Sequence, residues 1–585
     1  MANERLAQYN TFQENHLGFK GIMAGVASEL TPEGYVPDME NLKISVEGMA
    51  AAISNPTRIA PPTGQTDLKA MFVWQKDDGT NKLLAQYGAN LYIWSGSAWS
   101  YVQKNGTTLG VAITNADATS ITVVAGTAQP MPFTIKIDSE LMSVTAGATG
   151  TTWTVTRGTE GTTKATHIIS SQLLVPAFLS ILKASFASGM LDKLYIAQEA
   201  TQCMSYDGTT LSELPNGPMG KYITLWKNRF FIGGVTKFYG LAASTVVNGE
   251  ATAVTSGDAV MWSNINIVDD LHGGATHDNG WYLGSIVYLK TPESSSCTGI
   301  FPIGENLYMF CESAIFQFSG YAESSFSLFD VYHGMNAPKG NAIIGAGSVF
   351  YISSDGFFIL KEIPEKISIP VKALISTTSS NVSCAYFDSR VWFSSGSTLV
   401  ALNVGTGAWE KYKFGGDYSG TDYGAQSIVY AADHLYVGTS GTSGGSIFII
   451  DTAASGYRPW YLETPTLNQG ITSTDKRYKS LFVYAKNSDD AMNVSFSLNY
   501  SGSLGISPSL VGVQIGDLWG VMLWGAEETE GHGHWCSDVS EMTIYKRYIV
   551  APLGRTISFR FSGSGDGALL GYGVVYTPKR KFGVR

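Results

Sequence analysis

The sequence predicts an all-β protein built on a β-propeller of about seven blades, with six or eight as the alternatives. Three observations carry this. The chain has 65 glycines and 12% aromatic residues but only 15% charged residues, a composition that favours strands and tight turns over long solvated helices. At 585 residues it exceeds one ordinary compact core, so several domains or one large repetitive domain is expected. Above all, one short phrase keeps returning.

That phrase is clearest in "GENLYMFCESAIFQF", from Gly304, where two apolar runs flank a short polar bridge. Relatives are "GANLYIW" (from Gly88), "LDKLYIA" (Leu191), "KNRFFIGG" (Lys227), "AGSVFYIS" (Ala346), "FDSRVWFS" (Phe387) and "AADHLYVG" (Ala431). Their first apolar residues are Leu91, Leu194, Phe230, Leu307, Val349, Val391 and Leu435, and the last four follow at spacings of 42, 42 and 44. A period of about 40 to 50 residues with four short strands per unit suits propeller blades. Each copy leaves a turn and runs apolar without alternation, as a strand buried on both faces does. Outer strands recur as well: "WSGSAWSYV" (Trp94), "SYDGTTLSEL" (Ser205) and "NVGTGAWEKY" (Asn403) each carry a Gly-containing turn.

Breaks in the period define the other parts. The 103-residue gap from Leu91 to Leu194 contains a Thr-, Ala- and Val-rich stretch, "TSITVVAG" to "TTWTVTRGTEGTT", read as a small inserted β domain at residues 105–175. The 77-residue gap from Phe230 to Leu307 is read as one blade with a long loop, because "DDLHGGATHDNG" (269–280) is polar and Gly-rich. The propeller then occupies 61–104 and 176–470. Residues 1–60 form an N-terminal strap. Residues 471–585, with "KSLFVYAK", "NVSFSLNY" and "TISFRFSG", read as a C-terminal β-sandwich.

Charge and cysteines exclude several classes. A net charge of −10 argues against a phosphate-neutralising grip on nucleic acid. Cys203, Cys297, Cys311, Cys384 and Cys536 are odd in number and scattered, unlike a disulfide framework or zinc site. The opening "MANERLAQYNTFQENHLGF" has no basic, apolar secretory pattern, and no run of about 20 apolar residues occurs. Synthesis in a reducing cytoplasm is expected.

The stretch "FKGIMAGVASELTPEGYVPDMENLKISVEGMAAAI", from Phe19, combines an apolar-Gly opening, a Leu-Thr-Pro-Glu-Gly turn and an acidic lead into Asn41-Leu-Lys-Ile. It resembles the N-terminal strap of propeller-type nozzle or tail-hub proteins of tailed bacteriophages. Those relatives continue with Arg-Pro-Gly where this chain has Ala50 to Pro56. "CTGIFPIGENLYMFCESAIFQFSG" and "GMNAPKGNAIIGAGSVFYISSDGFFIL" look like central blades of the same family, and "IDSELMSV" with "WTVTRGTEGTT" is similar to a small β module of phage tail proteins. The resemblance implies a virion structural protein without enzymatic activity or cofactor: a distal tail nozzle, assembled as a closed homo-hexameric ring on a tail adaptor. Tail fibres and the host surface are its further expected contacts, and viral DNA passes through the ring without sequence-specific binding. An acidic axial wall that repels DNA is expected, with steric closure by Gly-rich loops around Gly273, Gly274, Gly415 and Gly416. The alternatives are a tail-associated glycan hydrolase or depolymerase, and a receptor-binding tail protein.

Candidate chemistry is sparse. Asp269 with Asp270 and Glu527 with Glu528 are adjacent acids, but neighbours on a strand face opposite ways, so they read as loop charges rather than a hydrolytic pair. "GHGHWCSD" offers His532, His534, Cys536 and Asp538 as weak metal candidates, at spacings shorter than zinc sites use. His272, His277 and Asp278 make a second polar cluster, and "QKDDG", "SYDG" and "SSDG" read as turns. Lys579, Arg580, Lys581 and Arg585 give a basic tail, read as solvated.

Overall fold

A computed structural model describes residues 11–578, apart from short internal stretches and the longer segments 240–250, 264–280, 415–423, 499–508 and 511–541. Among the described residues the chain is nearly all strand, and helix is confined to short 3-10 segments such as Ser28–Leu30 and Ile369–Leu374. The fold is a β-propeller with an elaborated rim.

Seven sheets of four strands follow one another around the described chain. The first comprises Leu68–Gln75, Asn81–Tyr87, Asn90–Trp94 and Trp99–Tyr101, and the second Ser185–Met190, Lys193–Gln198, Thr201–Tyr206 and Thr210–Glu213. The third holds Tyr222–Trp226, Arg229–Gly233, Ala259–Ser263 and Trp281–Tyr288, so the long interval after Phe230 contains one sheet with extended connections. The fourth begins at Cys297–Ile303, the fifth at Pro338–Gly345, the sixth at Val382–Phe387 and the seventh at Gly424–Ala431. Each first strand packs on the first strand of the next sheet, and the seventh returns to the first, closing the circuit. Closure removes the free sheet ends that would otherwise template aggregation.

Local chemistry explains the recurring phrase. In six sheets it is the second strand, and Leu194, Phe230, Leu307, Val391 and Leu435 are wholly buried. The strand is entered through a two-residue turn with both residues at positive φ in Leu191-Asp192, Lys227-Asn228, Ala346-Gly347, Asp388-Ser389 and Ala432-Asp433. That is the type I′ geometry that matches strand twist. Each strand then fills the wedges on both sides. One such wedge, between the sixth and seventh sheets, joins Trp392, Tyr412, Phe414, Ile428, Val437 and Phe448, with the Trp392 and Tyr412 rings 4.5 Å apart. Each of these large apolar side chains contributes about 1.5–3 kcal/mol on burial. In the first sheet the phrase lies on the third strand, and Asn81–Tyr87 takes the second place.

The seventh sheet is completed from the opposite end of the chain. Its outer strand is Thr57–Ile59, pairing antiparallel with Ile447–Ile450 through Ile59↔Ile447 and Thr57↔Ile449. These three residues fall within the strap range read from sequence.

The inserted domain departs at the outer edge of the second sheet. Gln103–Thr108 pairs parallel with Thr210–Glu213 and antiparallel with the returning Gln172–Pro176, which makes one ten-stranded sheet. Alternating strands such as Phe133–Ile137 and Glu140–Ala146 enclose a separate core around Phe133, Ile135, Met142, Val144 and Trp153.

Two further sheets form the C-terminal unit, and both recruit the strap. One carries Lys476–Lys486, Met542–Tyr548 and Ala568–Pro578 together with Phe12–Leu17, Leu42–Ile44 and Ala50–Ala52. The other carries Trp460–Glu463, Met492–Leu498 and Ile557–Gly563 with Asp38–Glu40. Sequence reading ended the propeller at 470, whereas Trp460–Glu463 pairs with Ile557–Gly563. A single apolar core joins strap residues Phe19, Ile22, Met39 and Leu42 to Trp409 of the sixth sheet and to Phe559 and Tyr572.

Candidate functional site

The built features of the described molecule lie where the strap crosses the sixth sheet, and in the inserted domain. The crossing begins at Gly21, whose φ is +102° and where an added Cβ would stand 2.6 Å from the Trp409 backbone nitrogen. Only glycine permits both the conformation and the approach.

Beyond it a buried ion pair bolts the strap down. Arg390 Nε donates to Glu410 Oε2 at 2.8 Å and Nη2 to Oε1 at 3.3 Å. Glu410 Oε1 accepts the Ile44 N–H at 2.7 Å, while Asn403 Nδ2 donates to the Ile44 carbonyl at 3.1 Å. Glu410 has no solvent exposure. Burial opposes the Arg390 charge, yet the Glu410 carboxylate more than offsets it and holds the guanidinium above its ordinary range. At the edge, Lys43 Nζ meets Asp388 Oδ2 at 2.8 Å.

Asp38, Asn41 and Lys411 join the strap to the C-terminal unit. Lys411 Nζ donates to Asp38 Oδ1 at 2.5 Å and to the Tyr461 hydroxyl at 2.9 Å. Tyr461 in turn donates to Asp38 Oδ2 at 2.7 Å. Asn41, at φ +58°, donates through Nδ2 to Pro459 O at 2.8 Å and accepts the Lys413 N–H at 3.0 Å. Sequence reading singled out the Asn41-Leu-Lys-Ile segment without assigning it these partners.

A cavity of about 280 Å³ opens between strap and C-terminal unit, lined by Glu14, His16, Glu29, Glu33, Gln469 and Tyr572 among others. Glu14 Oε1 and His16 Nε2 stand 3.5 Å apart.

The inserted domain holds a second buried ionic network. Arg157 contacts both oxygens of Glu140, Nε to Oε1 at 2.7 Å and Nη2 to Oε2 at 2.6 Å, and also donates to the Ala165 carbonyl. His167 lies between Glu140 Oε2 at 3.0 Å and Asp138 Oδ2 at 2.7 Å. Burial by itself would raise the Glu140 carboxyl, but the hydrogen bonds from Arg157, Ala165 N–H and His167 hold it at about 2. The signal in the sequence is a glutamate at an inward position of "IDSELMSV", which demands a buried cation.

The sequence-derived candidates are distributed otherwise. Asp269, Asp270, His272, Gly273, Gly274, His277 and Asp278 lie outside the described residues, as do Gly415, Gly416, Glu527, Glu528, His532, His534, Cys536, Asp538 and the basic tail from Lys579 to Arg585. Two acidic turns have turn chemistry: Asp207 Oδ1 accepts the Thr209 and Thr210 N–H groups, and Asp78 Oδ1 accepts the Thr80 N–H. Cys203, Cys297, Cys311 and Cys384 are buried free thiols, and burial pushes Cys297 up to about 12. Among the described residues no three His, Cys, Asp or Glu side chains gather as a metal site. No helix of the described residues is long and apolar enough to cross a membrane.

These features define a β-propeller protein with a strapped C-terminal unit and an inserted β domain. No family model and no curated protein matches the chain. Among solved structures it is similar to the extracellular domain of BT4673 from B. thetaiotaomicron, at 12% identity and TM-score 0.22, over 66% of this chain and 51% of that one. The chain thus spans about half the length of that structure. Similarity extends to virginiamycin B lyase from Staphylococcus aureus, at 10% identity and TM-score 0.26, covering 68% and 98%. YCF48 from Cyanidioschyzon merolae follows at 8% identity and TM-score 0.25, also covering 68% and 98%.

Proposed function

We propose that this chain is a structural protein of a tailed-phage virion, forming a nozzle ring at the distal end of the tail. The observation that supports it most is the strap. Residues 11–59 complete the seventh sheet, cross the sixth and supply strands to both sheets of the C-terminal unit. They tie the propeller to the C-terminal unit through paired strands and one shared apolar core. A ring subunit through which a genome is driven needs such ties, and the strap is also the segment whose sequence resembles nozzle proteins. The subunit is made in the host cytoplasm, closes with identical copies through heterologous contacts, and meets a tail adaptor. DNA passes along the ring axis.

A specific feature favours receptor binding as a second reading. The inserted domain exposes Val111, Val124, Ile168 and Ile169 on segments bridged to one another through Leu109↔Val123 and Ile113↔His167. Electron cryo-microscopy of the particle decides between them. A closed axial ring of this propeller supports the nozzle, isolated copies at fibre tips support receptor binding, and absence from the particle rejects both.

A further inference from the structure

The fourth sheet sets two cysteines opposite each other. Cys297 opens the strand Cys297–Ile303 and Cys311 closes the strand Asn306–Cys311. The antiparallel register pairs Cys297 with Cys311, just as it pairs Ile303 with Asn306 beside the turn. The two cysteines therefore sit at the open end of a hairpin. Directly opposed residues of an antiparallel pair have Cα atoms about 4.5–5.5 Å apart and side chains on one face. That spacing lies inside the range of about 4.4–6.8 Å that a disulfide spans.

Packing gives the same placement. Leu307, Met309 and Cys311 alternate into one apolar core with Cys297, Ile300 and Phe231, whereas the intervening Phe310 belongs to the core on the other side. An added Cβ at Gly233 of the third sheet would stand 2.9 Å from Cys297 Sγ, so this sulfur lies in the wedge between third and fourth sheets. Burial raises the Cys311 thiol and the neighbouring Cys297 raises it further. Both cysteines are free thiols.

The ladder is loosest at this point. The register shifts between Cys297 and Gly299, a bulge that leaves one residue unpaired and bends the strand. Cys297 Sγ lies 3.7 Å from the Gly299 carbonyl oxygen across it. Burial keeps both thiols largely protonated at neutral pH, so they are unreactive while the wedge is shut. Opening of the bulged hairpin end uncovers them together, by the local fluctuation that strand ends undergo.

We propose that Cys297 and Cys311 are a redox modification site, a cross-strand dithiol that a low-molecular-weight disulfide converts into a bond pinning the open end of this hairpin. The Cys297 thiolate attacks one sulfur of the small disulfide, forming a mixed disulfide and releasing one small thiolate. The Cys311 thiolate then attacks Cys297 Sγ, forming the cross-strand bond and expelling the second small thiolate. The two cysteine protons pass to the two released thiolates, and two electrons pass from the cysteines to the small disulfide. This site does not depend on the assembly role above.

Incubation of the full chain with bis(2-hydroxyethyl) disulfide tests it, followed by acid quenching, alkylation of the remaining thiols under denaturing conditions and peptide mass spectrometry. The expected product is one intramolecular Cys297–Cys311 linkage, lighter than the two reduced peptides by two hydrogens, with the β circular dichroism retained and both thiols restored by dithiothreitol. Cys203 and Cys384, in the second and sixth sheets, should remain alkylatable or carry separate mixed disulfides. Hydrogen exchange of the amides in Cys297–Ile303 and Asn306–Cys311 should slow in the oxidised chain, and this slowing should be lost in Cys311→Ala. Recovery of Cys297 and Cys311 as free thiols or separate mixed disulfides overturns the proposal. Linkage of either to another cysteine, linkage only with loss of the β signal, or unchanged exchange in the linked chain also overturns it. If Cys311→Ala does not fold, the linkage and its reversal in the unaltered protein decide.

Discussion

Arg390 and Glu410 face each other through two parallel contacts, 2.8 and 3.3 Å long, and the same carboxylate accepts the Ile44 amide of the strap. The pair therefore fixes two elements at once. Glu410→Gln leaves the guanidinium with only the part-exposed Asp388 carboxylate, 3.1 Å from Nη1, as counter-charge and should destabilise the fold by about 3 kcal/mol. Urea unfolding measures the loss, and limited proteolysis should show faster cleavage within residues 41–50. An unchanged midpoint and digestion pattern would contradict this account of the strap.

Glu140 carries a pH dependence of definite sign. Its folded value of about 2 lies below the ordinary 4.5. A depressed carboxyl stabilises the folded state fully above the unfolded value, and that contribution is lost as pH falls from 4.5 through 2. Hydrogen exchange of the inserted-domain amides should accelerate across this window in the wild type. Glu140→Gln should be less protected at neutral pH and show a flatter response.

Gly21→Ala should loosen the strap where it meets the sixth sheet. The added methyl meets Trp409 backbone atoms at 2.6 and 2.8 Å, on a φ of +102°. A cost of about 1–3 kcal/mol for the conformation alone is expected, with the clash added to it. Thermal unfolding reads the shift.

Ala432 and Asp433 occupy a type I′ turn at φ +51° and +60°, where alanine is strained. Replacing them by Asn and Gly should stabilise by about 1 kcal/mol. The gain is set against the lost Tyr430 to Asp433 hydrogen bond of 3.1 Å, which is exposed and weak. A lowered melting temperature would count against the turn assignment.

The inserted domain leaves and returns through adjacent paired strands, Gln103 opposite Pro176, and has its own core. Joining residue 107 to residue 172 through a short Gly-containing turn should preserve the β circular dichroism and the main melting transition. Collapse of the whole fold would show that the second sheet depends on it.

The repeat was legible because two strong local signals coincide: a turn that wants positive φ and a strand buried on both faces. The first sheet disguised its register because Asn81–Tyr87 carries Gln86, which clamps Leu182 and interrupts the apolar run. Strap strands were harder. Ala50 pairs with Leu569 and Phe12 with Tyr576, and no local pattern announces a partner more than 500 positions away. The Asp38–Lys411–Tyr461 cluster was hidden for the same reason, since its charges look solvated in sequence. Glu140 and Arg157 stood inside quoted motifs, but only the register of their strands turns both side chains inward.

Thr57–Ile59 closing onto Ile447–Ile450 also sets a timetable. On the ribosome the earlier strand emerges almost four hundred residues before its partner, and Phe12–Leu17 waits longer still for Ala568–Pro578. The circuit cannot lock until late in translation, so its earliest segments must remain unpaired meanwhile. Pairings of such long sequence separation slow folding, but once made they tie early and late parts of the chain into one cooperative closure.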